Sequence, residues 1–233
     1  MAKVLLYFII SFIFSYSVFS QELKESQKKM FISINASLNN TFVENLHRED
    51  LILNIKDIKI GGAIGLGIKY NFVDWYYLSI NLNILSMESI KYSYYGTSYS
   101  SISGYPQIFL TNTFKLTKNP NLNIIMHLGC GLSTTPMNYM DESYYFLTDY
   151  GPERKVTEQG KAGVYPLITT GIGLETKLKK GRIVTYNLMF NKGFIPIAKY
   201  KFERISSPQL SNSFEYKGSL LAFQVNWYFK RKY

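Results

Sequence analysis

From Met30 to Leu38 the chain alternates with a period of two. Ile32, Ile34, Ala36 and Leu38 share one face, and Ser33, Asn35 and Ser37 the other, the pattern of a strand with one apolar side. The run Ile58 to Tyr70 is cleaner, with Ile58, Ile60, Ile64, Leu66, Ile68 and Tyr70 opposite Lys59, Gly61, Ala63, Gly65, Gly67 and Lys69. The same alternation returns in Tyr77 to Ile84, Gln107 to Leu116, Leu122 to Ser133, Val164 to Lys177, Val184 to Asn191 and Ser219 to Phe229. Two positions break it: Asn112 falls on the apolar face of the fourth segment, and Ile125 on the polar face of the fifth. A tilted strand crosses a bilayer in about 9 to 11 residues. Eight segments near that length predict an all-β chain, an eight-stranded antiparallel up-and-down transmembrane β-barrel.

The connections alternate in length. Asn71 to Trp75, Thr117 to Asn121 and Leu178 to Gly181 are short, whereas Asn39 to Asp57, Met87 to Gly104, Thr134 to Gly163 and Lys192 to Gly218 are long. Outer-membrane barrels have short periplasmic turns and long external loops, so this alternation predicts both mature termini in the periplasm. A soluble eight-stranded barrel of the lipocalin kind would turn its bulky apolar face inward. Here the polar face is rich in Gly, Ala, Ser, Thr and Asn, which suits a cramped lumen, and the bulky aliphatic face suits lipid.

Residues 1–20 read as a secretory leader: Lys3 precedes an apolar run from Val4 to Phe14, and Val18 and Ser20 offer small residues for cleavage before Gln21. The expected organisation is leader 1–20, a short periplasmic segment 21–29 and a barrel over 30–233. After Ser20 no stretch approaches the roughly 18 consecutive apolar residues of a transmembrane helix. Cys130 is the single cysteine, which excludes a disulfide framework and lipoprotein processing at the leader.

Aromatic side chains make up 16% of the chain, and their positions matter more than their number. Tyr70, Phe72, Trp75, Tyr76, Phe114, Trp227 and Phe229 fall near the short-connection ends, where an aromatic girdle anchors a barrel among headgroups. Phe223, Val225, Trp227 and Phe229 resemble the C-terminal signal that the barrel assembly machinery reads, although Lys230-Arg231-Lys232-Tyr233 follows.

The formal charge of +10 is expected to gather at the same rim, on Lys118, Lys179, Lys180, Arg182, Lys230, Arg231 and Lys232. There it would meet anionic lipid headgroups or dock an acidic periplasmic partner. The long connections are expected to be near neutral or acidic, on the strength of Glu44, Glu49, Asp50, Asp57, Asp141, Glu142, Asp149, Glu153 and Glu158. Export and a rim-limited distribution explain the basicity without nucleic acid. Inside the barrel, Lys69, Lys115, Lys177 and Glu175 should lie near one end, with Glu175 bridging one or more of the lysines, because a buried charge must be paired.

Histidine limits the chemistry. His47 stands near Glu49 and Asp50, and His127 faces the lumen on the strand that carries Ser133. Neither pairing matches the machinery of a barrel lipase, deacylase or protease, so no catalytic residue, metal ligand or cofactor is assigned. A small lipid- or lipopolysaccharide-modifying barrel enzyme is the alternative. The second long connection holds Tyr92, Tyr94, Tyr95 and Tyr99 among serines, and the third holds Tyr139, Tyr144, Tyr145, Phe146 and Tyr150. Tyr and Ser together make adaptable contact surfaces or a stiff cap over the barrel.

The stretch from Gly163 through Tyr165, Pro166, Gly171, Gly173 and Glu175 into Lys179-Lys180-Gly181-Arg182, with Tyr105-Pro106-Gln107-Ile108 at the start of strand four, resembles the outer-membrane barrels abundant in Bacteroidota. That family includes PorT-like and OmpA-like eight-stranded proteins. The resemblance implies fold and outer-membrane location and carries no catalytic residues. Together these readings predict a non-enzymatic integral barrel with loops for binding, adhesion or envelope integrity, in contact with lipid and lipopolysaccharide. The rival is a component of a secretion or envelope complex engaged through the basic rim.

Overall fold

A computed structural model describes residues 29–42, 44–47, 53–56, 60–94, 97–104, 106–135, 142–148, 151–160, 163–178 and 182–230. The expected leader and nearly all of segment 21–29 lie outside the described residues.

Among the described residues, fifteen strands follow one another. They are β1 (Lys29–Thr41), β2 (Glu44–His47), β3 (Leu53–Lys56), β4 (Ile60–Val73), β5 (Tyr76–Tyr94), β6 (Thr97–Gly104), β7 (Gln107–Lys115), β8 (Leu122–Thr135), β9 (Glu142–Thr148), β10 (Gly151–Gly160), β11 (Gly163–Lys177), β12 (Ile183–Gly193), β13 (Ala198–Arg204), β14 (Ser207–Tyr216) and β15 (Leu220–Lys230). Eight of them, β1, β4, β5, β7, β8, β11, β12 and β15, pair antiparallel in chain order, and β15 pairs back onto β1 from Phe31↔Lys230 to Thr41↔Leu220. The wall is therefore a closed eight-stranded barrel built from the eight segments that alternation predicts. Closure leaves no unpaired wall edge, which a bilayer requires.

The faces are inverted relative to a soluble protein. Ile34, Leu66, Ile80, Leu128, Ile172 and Leu188 point outward and are 45–60% exposed, whereas Ser33, Asn35, Thr113, Thr169, Thr185 and Asn187 are buried inside. Lumenal glycines make room for larger neighbours: a β-carbon on Gly131 would run into the Phe109 ring, and one on Gly173 into the Asn187 amide. Packing in so narrow a lumen needs this interleaving of small and large side chains.

Both sequence irregularities have a physical resolution. Ile125 points into the lumen and is fully buried. Asn112 points outward, but Tyr76 covers it and its Oδ1 accepts a 2.7 Å hydrogen bond from the Tyr76 hydroxyl. Tyr76 is itself enclosed by Phe72, Trp75 and Phe114, at ring-centroid distances of 5.4, 5.9 and 5.3 Å. A polar group on an apolar face is tolerable once it is paired. One shift of register was not expected: a bulge between Ile64 and Gly65, where Ile84 and Leu85 are both exposed before Ser86 turns inward.

The long connections carry strands of their own. β5 runs for 19 residues, and its outer half pairs with β6 in a hairpin and with β3 on its other side. The first, third and fourth long connections contribute to a separate five-stranded sheet, ordered β2-β14-β13-β10-β9. Where this sheet rejoins the wall, two glycines are needed. Gly218 takes a φ of 77°, and a β-carbon on Gly193 would meet the backbone carbonyl of Lys217.

Candidate functional site

The lumen is layered. At the short-connection end Lys69 Nζ donates to Glu175 Oε2 at 2.6 Å, and Lys115 Nζ lies 2.6 Å from Glu175 Oε1. Lys69 and Glu175 are fully buried, and the Lys115 side chain is 11% exposed. The Lys69 ammonium also sits 3.6 Å from the Tyr77 ring centroid and 5.0 Å from that of Tyr228, so aromatic faces share its charge with the carboxylate. Strands β4, β7 and β11 all end at this rim, which is why residues 69, 115 and 175 meet there. Lys177, expected in the same cluster, is exposed and outside the bridge.

Above the ion pair lies a chain of neutral side chains. His127 Nδ1 is 2.9 Å from Thr113 Oγ1, and Nε2 is 2.9 Å from Asn187 Oδ1. The Asn187 and Asn226 amide nitrogens both donate to Thr185 Oγ1, at 3.0 and 3.1 Å. An amide oxygen can only accept, so Nε2 carries a proton; in the neutral ring Nδ1 then accepts from the threonine hydroxyl. Ser133 lies six residues along β8 from His127, about 20 Å at the usual strand rise, too far for a nucleophile and its base. Higher still, Ser37, Asn39, Asn81, Asn83, Asn191 and Gln224 help to line a cavity of about 30 Å³, room for a water molecule among polar groups. Polar side chains occupy these layers of the lumen, and the Lys69–Glu175–Lys115 bridge lies across its lower end.

At the outer surface of the short-connection end the expected girdle is present. Tyr70 packs edge-on against Phe72 at 4.7 Å, Trp75 stacks on Phe114 at 6.3 Å, and Trp227 stacks on Phe229 at 6.0 Å. Phe223, Trp227 and Phe229 of the last strand point outward, 49%, 43% and 37% exposed, with Val225 on the same face. Lys118 and Arg182 are exposed at this rim. The expected rim residues Lys179, Lys180, Arg231 and Lys232 lie outside the described residues, as does the Lys230 side chain. His47 lies on β2, register partner of Ser213.

At the opposite end the sheet beyond the barrel has one buried face. Val156, Tyr200, Phe202, Phe214 and Tyr216 are buried, with Tyr200 stacked on Phe214 at 4.7 Å and Phe202 on Phe214 at 5.9 Å. Its other face carries Tyr145, Lys155, Gln159, Lys199, Lys201 and Glu203. Lys201 pairs with Glu203 at 2.5 Å, and Lys199 and Lys217 reach Glu215 at 3.9 and 3.7 Å. This corrects the expectation of near-neutral or acidic long connections: the last one is basic, and it supplies the two strands β13 and β14. The alternation of Lys199, Lys201 and Glu203 with Ala198, Tyr200 and Phe202 was the sequence signal for it. Of the tyrosines expected in an external loop, Tyr92 and Tyr99 are register partners in the β5–β6 hairpin and Tyr94 pairs with Thr97; Tyr95 lies outside the described residues.

No protein-family model matches this sequence, and no curated protein matches it. In structure the chain is similar to the outer-membrane protein OprG of Pseudomonas aeruginosa, with a TM-score of 0.53 and 11% identity over 87% of this chain and 97% of that one. It also aligns with the outer-membrane protein AlkL (TM-score 0.45, 13% identity, 88% and 92% covered). A further alignment is with Ail, the attachment invasion locus protein of Yersinia pestis (TM-score 0.41, 10% identity, 87% and 99% covered). At such identities the likeness to OprG is one of fold: this chain is an antiparallel eight-stranded barrel of the kind found among outer-membrane proteins.

Proposed function

We propose that the chain is an integral outer-membrane barrel, with its short connections in the periplasm, that holds a rigid binding surface outside the cell and performs no catalysis. The outward apolar wall and the aromatic girdle at the short-connection end support the membrane reading, because hydrocarbon is the solvent such a surface suits. The outward residues Phe223, Val225, Trp227 and Phe229 fit a role as the assembly signal. The glycine-spaced stretch from Gly163 to Arg182 supports kinship with the Bacteroidota barrels.

The observation that carries the functional reading is the five-stranded sheet built from three of the long connections. Connections that serve only to link wall strands need no core of their own. Here five strands bury Tyr200, Phe202 and Phe214 in one layer and present a face of Lys, Glu, Gln and Tyr. A preorganised polar face binds without the cost of ordering a loop, which suits adhesion, ligand contact or envelope integrity.

The test is to replace residues 198–216 by a short turn and to measure attachment of cells bearing either form to glycan- and protein-coated surfaces. Wild-type cells should attach and cells with the shortened barrel should lose attachment, while both forms keep heat-modifiable electrophoretic mobility. Equal attachment by the two forms would refute the binding role. Added protease should also cut within the outer sheet on intact cells; cutting only after the outer membrane is opened would reverse the orientation.

A further inference from the structure

At the short-connection mouth, Lys115 of the Glu175 bridge borders one cleft of about 590 Å³ with Lys118 and Lys177, together with Thr117, Asn119, Asn123, Asp74 and Trp75. The backbone brings them together. The β7–β8 connection folds across the end of β11: Leu116 N–H donates to the Ile124 carbonyl, and Lys177 N–H donates to that of Asn121 at 3.0 Å. Asn119 Oδ1 accepts the N–H groups of Asn121 and Leu122 at 2.9 and 3.2 Å, and Thr117 Oγ1 accepts that of Ile124 at 2.9 Å. Asn123 Oδ1 accepts the Asn119 N–H at 3.1 Å. Both asparagines spend their oxygens on the turn, so the ends left to a ligand are NH₂ donors.

The charges are unbalanced in one direction. Glu175 is satisfied by Lys69 and Lys115, and Asp74 already has a partner of its own. Lys118 and Lys177 form no ion pair among the described residues. A cleft lined by three lysines and two amide donors against one carboxylate, the exposed Asp74, takes an anion with several acceptor oxygens. It also reaches Trp75, which is 44% exposed on the outward wall beside Phe114. The site therefore joins the mouth of the lumen to the girdle.

We propose that this cleft binds a phosphate group through Lys115, Lys118 and Lys177, with Asn119 and Asn123 as donors. Its position beside Trp75 favours the phosphodiester of an anionic phospholipid, a preference that rests on the membrane reading above; a soluble phosphate offers the same chemistry. The test uses the full chain purified in mild detergent, compared with the Lys118→Gln/Lys177→Gln variant, both of whose changed side chains are exposed and outside the ion pair. Native mass spectrometry follows retention of added phosphatidylglycerol against phosphatidylcholine, and calorimetry follows inorganic phosphate on lipid-stripped protein.

The wild type should keep phosphatidylglycerol in preference to phosphatidylcholine, and the variant should hold it about thirtyfold more weakly, the usual worth of two lysines near an anionic surface. Phosphate heat lost in the variant, with no lipid preference, would support the site and assign it to a soluble phosphate. A heat-modifiable wild-type barrel that binds neither, or that binds both as the variant does, would overturn the proposal. A wild type without heat-modifiable mobility would instead strike the barrel reading beneath it.

Discussion

On the barrel wall, Ile172 faces Leu188 and Met126 across the outward surface, 60% exposed, while Thr169 and Glu175 on the same strand are buried inside. In the sheet beyond, Tyr200 and Phe202 are buried and Lys199 and Lys201 stand out. The period of two is the same and the polarity is reversed. A strand's alternation therefore reports which of its faces meets a solvent of which kind. The wall suits apolar surroundings and a polar filling; the sheet beyond it suits polar surroundings.

That contrast can be broken most severely at the charges. Glu175→Gln leaves two lysines uncompensated in the lumen and should cost about 3–5 kcal/mol of barrel stability. Glu203→Gln in the outer sheet, whose pair with Lys201 is partly exposed, should cost under about 1 kcal/mol. Urea unfolding in lipid vesicles measures both, and equal costs would erase the distinction. Phe214→Ala should remove about 3–4 kcal/mol from the outer sheet alone, seen as faster proteolysis there with unchanged heat-modifiable mobility.

Ile172→Lys should cost the barrel about 2–4 kcal/mol when it unfolds from lipid. The outer sheet already carries lysines at the equivalent positions 199 and 201. Asn112→Ala strips the buried Tyr76 hydroxyl of its acceptor, at about 1–3 kcal/mol. A neutral outcome there would mean that the tyrosine needs no partner at the girdle.

The same reversal accounts for what could be read from the sequence. All eight wall strands and the lumenal meeting of Lys69, Lys115 and Glu175 were legible, because long aliphatic alternation against Gly, Ser and Asn suits a lipid-facing wall around a narrow polar lumen and little else. The outer strands carried the period too, in Ala198 to Glu203 and in Asn212 to Lys217. Their buried face is aromatic and short, and it is set among charges, so it reads as a polar connection unless a second aqueous layer is sought. The bulge at Ile84 and Leu85 could not be read, since Asn83-Ile84-Leu85-Ser86 fits either register. Nor could the convergence of Lys118 and Lys177, because it depends on how the β7–β8 connection crosses the end of β11.

The wall's outward surface has two natural reporters. The chain has two tryptophans, Trp75 and Trp227, both at the girdle and 44% and 43% exposed. Reconstituted into vesicles of lipids brominated at successive acyl depths, the protein should show blue-shifted tryptophan emission, quenched most by bromines nearest the headgroups and little by aqueous acrylamide. Emission quenched by acrylamide and indifferent to brominated lipid would put water against that surface and contradict the membrane barrel.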